Sequence, residues 1–311
     1  MDILTDYRGL RQIYKYICVG LGNFDGVHLG HQQLISRLVW HARRQKGTSV
    51  VFTFEPHPAV ILSPDTAPPL LLAPEVKHRL IAGLGVEILL AVPFTREFAS
   101  LTPEQFVKGV LDDEMGARAV FVGYNYTFGH RGAGTPETLS RLAKKHGFVV
   151  EVIPPVIVEG QPVSSTFIRN LVADGRVDEA KRYLGYYPLF RGTVVTGDSR
   201  GAKIGFPTAN FEVDDRVLVP ANGVYAVKVL IDKEVFLGVA NIGICPTFAS
   251  GTPRKRRIEV FALDFHGDLY GKCLEVSFTR RLREERRFES TAELVEQIRL
   301  DIAAARAALA E

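Results

Sequence analysis

At about residue 186 the 311-residue chain changes texture, and that change dictates two separate cores. Before it, short apolar segments rich in Val, Ile and Phe alternate with longer amphipathic ones. The apolar segments are YICVGL, SVVFTF, VEILLAV, ARAVFVG and FVVEVI. Five such strands separated by helices imply a parallel sheet covered by helices on both faces. Thr102 reads as an N-cap, with Pro103 in the first turn and Gly116 at the stop. After Tyr186 the strands LFRGTVVTG, GVYAVKVLI, EVFLGVANI, IEVFALDF and CLEVSF follow one another between Gly, Pro and Asp turns. That pattern predicts an antiparallel barrel or sandwich. A final helix starts at the capping box Ser290–Glu293 and puts Leu294, Ile298, Ile302 and Leu309 on one side. The expected domains are 1–186 and 187–311, in line with roughly 100–200 residues per domain. APPLLLAP and SGTPRKRR read as surface loops.

Bulk properties exclude several classes. A net charge of +3 gives no nucleic-acid coat. RKRR (254–257) reads as a solvated hairpin. The three cysteines, Cys18, Cys245 and Cys273, are far apart and fit a reducing compartment. No run approaches the ~18 apolar residues of a membrane span, and the first residues lack an apolar signal core. The expected setting is cytoplasmic.

In an open parallel sheet, ligands bind at the carboxyl ends of strands. GNFDGVHLGHQQLI (22–35) stands there, directly after YICVGL. Free N–H groups at the helix start make an anion site, and Gly22, Gly26 and Gly30 let the backbone come close. His28 and His31, three apart, can share one face and stabilise charge as an α-phosphate is attacked. Three other readings compete. A metal pair lacks clustered further ligands. A dinucleotide loop does not fit the spacing of Gly20, Gly22 and Gly26. Two plain surface histidines are the third.

GNFDGVHLGH resembles the His-x-Gly-His signature of the adenylyltransferase module in prokaryotic bifunctional riboflavin kinase/FAD synthetases. Three further segments share the resemblance. They are TFEPHP (53–58, Glu55 for the usual Asp), VGYNYTFG (122–129, Tyr126 for Phe) and VSSTFIR (163–169). It implies an α/β nucleotidyltransferase domain of Rossmann-like type. It also implies that Asn23, Phe24, His28, His31, Asn125, Ser164, Ser165, Thr166 and Arg169 hold ATP. Ser164, Ser165 and Thr166 before FIRNLVADG suit a phosphate, although Ser-Ser-Thr alone is equally an N-cap. Arg169 offers a fixed-geometry cation for pyrophosphate. Phe128 is either a flavin contact or a core residue.

The second half has no Gly-x-x-x-x-Gly-Lys-(Ser/Thr). GTVVTGDSRGAKIGFPTANF still carries phosphate-site chemistry. Gly197, Gly201 and Gly205 make a loop, and Thr208 and Asn210 offer oxygens for Mg²⁺. GFPTANF is similar to the Pro-Thr-Ala-Asn signature of riboflavin kinases, and four later blocks follow in family order. The resemblance implies an antiparallel β-barrel kinase domain with Gly201, Lys203, Thr208 and Asn210 on ATP and Thr208 and Asn210 on the metal. It makes Glu259 the base, with Arg283 and Phe288 closing over flavin. A carboxylate on a rigid strand facing the barrel mouth suits a general base, whereas by itself Glu259 reads equally as an ordinary strand-surface Glu paired with Arg256 or Arg257. Ala202 stands where family members carry Arg, so Arg200 or Lys203 would serve.

The implied function is riboflavin to FMN with ATP, then adenylyl transfer giving FAD and pyrophosphate. The implied partners are riboflavin, FMN, FAD, ATP, ADP and pyrophosphate, with Mg²⁺ and no tightly bound prosthetic group. The expected assembly is a monomer or weak homo-oligomer, with no nucleic acid and no membrane. Two alternatives are a chain with one live module and a flavin- or nucleotide-binding regulator. Cytidylyl transfer to another phosphate is a more distant one.

Overall fold

A computed structural model describes residues 1–310 except 198–200, 202–203, 215 and 245–255. The chain divides into two compact units. One holds Met1–Pro68 and Pro74–Ser164, the other Pro69–Ala73 and Ser165–Glu311.

The first unit is a six-stranded, wholly parallel sheet in the order β1-β4-β3-β2-β5-β6. Its strands are β1 (Asp2–Leu4), β2 (Ile17–Leu21), β3 (Thr48–Phe54), β4 (Ile88–Val92), β5 (Ala117–Gly123) and β6 (Val149–Ile153). All five expected strands form. The sixth, β1, was not expected: three residues are too few for a periodic signal, and pairing with β4 is what makes them a strand. Every residue of β2 and β4 is buried, as a strand covered on both faces requires. The helix Leu29–Arg44 lays Leu34, Ile35, Leu38, Val39 and Ala42 on the sheet. Each of the Leu, Ile and Val side chains contributes about 1.5–3 kcal/mol on burial.

The strand order matters for function. From β2 the chain steps to β3 and β4 on one side, then returns to β5 on the other. The switch point therefore lies at the carboxyl ends of β2 and β5, where such sheets open a crevice. The loops after these strands carry GNFDGVHLGH and YNYTFG.

Thr102 caps its helix as expected. Its hydroxyl accepts the Gln105 N–H at 3.2 Å and the Gln105 side chain accepts the Thr102 N–H at 2.8 Å. The following turns, Phe106–Glu114, widen to π-helical spacing before Gly116 turns the chain at φ +62°.

A short antiparallel ribbon, β7 (Ile157–Val158) and β8 (Gln161–Pro162), follows β6. The second unit is a closed barrel in the order β10-β13-β12-β11-β14-β9. These are β9 (Leu189–Val195), β10 (Ala209–Glu212), β11 (Gly223–Ile231), β12 (Glu234–Ile244), β13 (Arg256–Ala262) and β14 (Cys273–Arg283). All neighbours are antiparallel. The lumen holds Phe211, Tyr225, Val227, Ala240, Ile242, Ile258, Val260 and Phe278. The final helix, Thr291–Ala310, begins at Ser290, whose hydroxyl accepts the Glu293 N–H at 3.2 Å. The Glu293 carboxylate takes the Glu289 N–H at 3.3 Å rather than that of Ser290. Leu294, Ile298 and Ile302 are half-buried, alongside the buried Asp301 and Ala305.

Two expectations change. APPLLLAP is not a surface loop: Leu71 and Leu72 are buried, and Leu70 exchanges backbone hydrogen bonds with Arg216 and Leu218. Three consecutive leucines bury more apolar surface as an inserted segment than a loop leaves wet. In RKRR, residues 254 and 255 lie outside the described residues, but Arg256 and Arg257 belong to β13. Arg256 is half-buried, donating to Val219 O, Pro220 O and Asn222 Oδ1. By packing, the two units divide at Ser164/Ser165. The helices Ser165–Ala173 and Val177–Leu184 group with the barrel, where Val177 joins its apolar core.

Candidate functional site

In the first unit the turn after β2 is conformationally strained. Phe24, Gly26 and Val27 have φ of +52°, +82° and +35°. A β-branched residue at positive φ is an outlier that the surroundings must impose. Here Thr53 Oγ1 donates to Asn23 O at 3.1 Å and Gln32 Nε2 to Val27 O at 2.8 Å.

The turn delivers His28 as the N-cap of Leu29–Arg44, its Nδ1 accepting the His31 N–H at 3.3 Å. The two imidazoles stack with centroids 3.6 Å apart and planes 13° from parallel. A Cβ on Gly30 would come within 3.3 Å of the His28 ring, so glycine between the histidines allows the stack. His28 is buried, and His31 Nδ1 is enclosed without a hydrogen-bond partner among the described residues. Burial, then the His28 and Lys77 charges, hold the His31 pKa well below the ordinary imidazole value.

Asn23 and Asn125 are exposed at the crevice edge. Phe24, expected on ATP, is fully buried and meets the His31 ring edge-on at 5.2 Å. Its side chain supports the histidine; only its backbone faces the turn. Phe128 is a core residue, 7% exposed against Phe106 and Tyr126, with little ring left for a ligand. Ser164 immediately precedes the helix Ser165–Ala173, and Ser165 and Thr166 form its first turn rather than preceding it. Arg169 Nε donates to Pro69 O at 3.1 Å.

In the barrel, the register decides which side chains meet. Asn210 pairs with Glu259 across β10 and β13, and Glu259 with Asn241 across β13 and β12. Directly paired residues point to the same face. Their neighbours Phe211, Ile258, Val260, Ala240 and Ile242 fill the lumen. Glu259 therefore stands on the outer face of the barrel wall between two asparagines. Asn210 Nδ2 donates to Thr208 O at 3.2 Å. A Cβ on Gly197 would fall within 2.7 Å of the Asn210 amide oxygen, so the loop must carry glycine there.

Thr208 and Asn210 are neutral oxygen donors beside one carboxylate. That set fits Mg²⁺ held mainly by phosphate and water. Among the described residues no three His, Cys, Asp or Glu side chains gather as a metal cluster. Lys203 and Ala202 lie outside the described residues, and Gly201 is half-buried. Arg283, expected over flavin, is instead bound two-pronged to the buried Asp301 at 2.7–3.2 Å. Its guanidinium lies 5.8 Å from the Phe288 ring and that of Arg286 4.7 Å.

A family model described as FAD synthetase matches residues 11–167, and one described as riboflavin kinase matches 184–309. A bifunctional riboflavin kinase/FMN adenylyltransferase of Bacillus subtilis is 39% identical over 285 residues, 91% of this chain and 89% of that protein. The chain belongs to the bifunctional riboflavin kinase/FMN adenylyltransferase family. The family's enzyme from Pseudomonas fluorescens is 39% identical, covering 99% of this chain and 97% of that one. The Escherichia coli K12 enzyme is 36% identical, covering 98% and 97%. A crystal structure described as a macrolide-efflux protein from Streptococcus pneumoniae shares the fold. It has a TM-score of 0.87 and 33% identity over 98% of this chain and 99% of that one. Among the described residues no helix is long and apolar enough to cross a membrane.

The chain thus carries both modules of the riboflavin kinase/FMN adenylyltransferases, and family membership implies ATP- and Mg²⁺-dependent chemistry. Sequence reasoning missed Lys77, His78 and Asn241 in these modules. Lys77 and His78 look like ordinary helix residues until Glu55 is found against them. Asn241 is visible only through the register.

Proposed function

We propose that the two modules act in series through the residues described above, with the division of activities at 186/187. The barrel transfers the γ-phosphoryl of ATP to the terminal ribityl hydroxyl of riboflavin. Glu259 takes the hydroxyl proton, and Asn210 and Asn241 hold its carboxylate from either side. Thr208 and Asn210 would hold Mg²⁺, which supplies charge neutralisation on the phosphates. Gly201 and Lys203 would bind the phosphates of ATP. Because Arg283 is engaged by Asp301, the ring of Phe288 is the better candidate to cover the flavin.

The adenylyltransferase module, residues 1–186, then joins the phosphate of FMN to the α-phosphorus of ATP, releasing pyrophosphate. The His28–His31 stack offsets the charge that builds on the α-phosphate. Asn23 and Asn125 hold nucleotide oxygens. Ser164, Ser165, Thr166 and Arg169 donate to phosphate. The partners are riboflavin, FMN, FAD, ATP, ADP and pyrophosphate, in a cytoplasmic setting, without a tightly bound prosthetic group.

The observation that carries this reading is the barrel register that sets Asn210, Glu259 and Asn241 side by side on one wall. The test is a time course with riboflavin, ATP and Mg²⁺, with flavins separated by chromatography. FMN rising and then converting to FAD is expected. FMN alone would mean a dead first module, and no product at all would overturn the reading.

A further inference from the structure

The outer face of β12 and β13 carries more than the base. The register sets Val239 opposite Phe261, Asn241 opposite Glu259 and Gly243 opposite Arg257. Paired residues share a face, and so do positions two apart on one strand. Gly243 therefore lies on the same face as Asn241 and Glu259, about 6–7 Å along β12 from Asn241. It is nevertheless buried. Glu285 covers it: a Cβ on Gly243 would collide with Glu285 Oε1 and come within 3.0 Å of its Cδ. The strip that holds Glu259 thus carries a second carboxylate.

The final helix holds Glu285 there. On one side of it in sequence Arg283 grips Asp301 at 2.7–3.2 Å. On the other Arg286 donates to Gln297 Oε1 at 2.5 Å. Gln297 Nε2 donates in turn to Asp301 Oδ1 at 2.7 Å, so both arginines are fastened to one helix. The Glu285 carboxylate itself has no hydrogen bond or ion pair among the described residues. Arg256, on which its charge acts, directs its guanidinium to Val219 O, Pro220 O and Asn222 Oδ1. Glu285 is exposed, so water fills its acceptor sites and a hydroxyl-bearing ligand can replace that water.

We propose that Glu285 is a specificity-determining residue of the kinase site: its carboxylate accepts hydrogen bonds from the middle hydroxyls of the ribityl chain while Glu259 takes the proton of the terminal one. The inference rests on the kinase reading of the barrel. An ionised carboxylate is an acceptor only, so it selects neutral hydroxyl donors and turns phosphate away from this end of the strip. The polyol then runs along the wall from Glu259 toward Gly243. The missing side chain at Gly243 lets the carboxylate lie low against the strand. Phe288, the candidate cover for the flavin ring, belongs to the same segment and lies beside the same two arginines.

The experiment is steady-state phosphorylation by the full-length protein of two substrates, riboflavin and a flavin with a plain hydroxypentyl chain. The second keeps the terminal hydroxyl and lacks the middle ones. The wild type prefers riboflavin by about ten- to hundredfold in kcat/KM. Glu285→Ala loses that preference by raising the KM for riboflavin, with the KM for ATP and the kcat/KM for the hydroxypentyl flavin unchanged. Glu285→Gln keeps an acceptor and recovers part of the preference. Gly243→Ala keeps the carboxylate but displaces it, and lowers the preference as well. A purely structural role would depress both substrates alike. Equal losses on both flavins, or a preference that survives Glu285→Ala, overturns this inference and leaves the kinase reading standing. No FMN from the wild type overturns both.

Discussion

Glu55→Gln gives the sharpest stability test. Burial opposes ionisation of this carboxyl, but the hydrogen bonds and charges of His78 and Lys77 outweigh it, holding its pKa at about 2 against an ordinary 4.5. At 1.36 kcal/mol per unit this corresponds to about 3 kcal/mol. The side chain is 24% exposed, so solvent screening reduces the figure to about 2 kcal/mol. Because the folded pKa is depressed, the contribution is complete above pH 4.5 and lost as pH falls toward 2. Glutamine keeps the shape, removes the charge and leaves Lys77 buried without its partner. The variant is therefore about 2 kcal/mol less stable at pH 7. Below pH 4.5 the unfolded chain takes up a proton that the folded carboxylate accepts only near pH 2, so the difference shrinks. The chain has one tryptophan, Trp40, on the helix Leu29–Arg44. Its fluorescence in urea titrations reports unfolding of the first unit. A difference that stays constant from pH 7 to pH 3, or no destabilisation at pH 7, refutes the reasoning.

Other predictions follow from the same geometry. His28→Ala is expected to cut FAD formation by about 10²-fold or more while FMN accumulates, as flavin chromatography would record. Glu259→Gln should block riboflavin phosphorylation by about 10²-fold or more, with added FMN still converted to FAD. Gly197→Ala forces the Asn210 amide aside and is expected to reduce the kinase step alone, measured as FMN produced per unit time. Asp301→Ala leaves Arg283 unpaired and should destabilise the barrel by about 2–4 kcal/mol, visible as a lower-temperature calorimetric transition with the first unit unchanged.

Much of this was legible from residue order alone, because it depends on local patterns. The apolar runs of β2 to β6 need no partner to be recognised, since a doubly covered strand is apolar throughout. Thr102, Pro103 and Gly116 mark their helix by backbone chemistry that acts within one turn. His28, Gly30 and His31 sit close in sequence, so their stack was within reach of a spacing argument. Their loop's position after an apolar strand was enough to suggest a phosphate site.

Contacts between distant residues were decided by tertiary structure. Glu55 meets Lys77 and His78 only because β3 ends, and the helix Pro74–Gly83 begins, at the same edge of the sheet. Phe24, Phe128 and Arg283 carry side chains that suit ligands equally well, and packing assigns them to His31, the core and Asp301. Asn210, Glu259 and Asn241 share a wall because the barrel closes in one register; a slip of one residue would turn Glu259 into the lumen. Sequence alone determined that this chain builds a covered parallel sheet and a barrel, and where phosphate chemistry concentrates, because those features depend on periodicity and backbone stereochemistry. Only the tertiary structure decided which charges stand beside the histidines and which face of the barrel carries the base, because pairing across a sheet and burial against a neighbour are properties of the assembled fold.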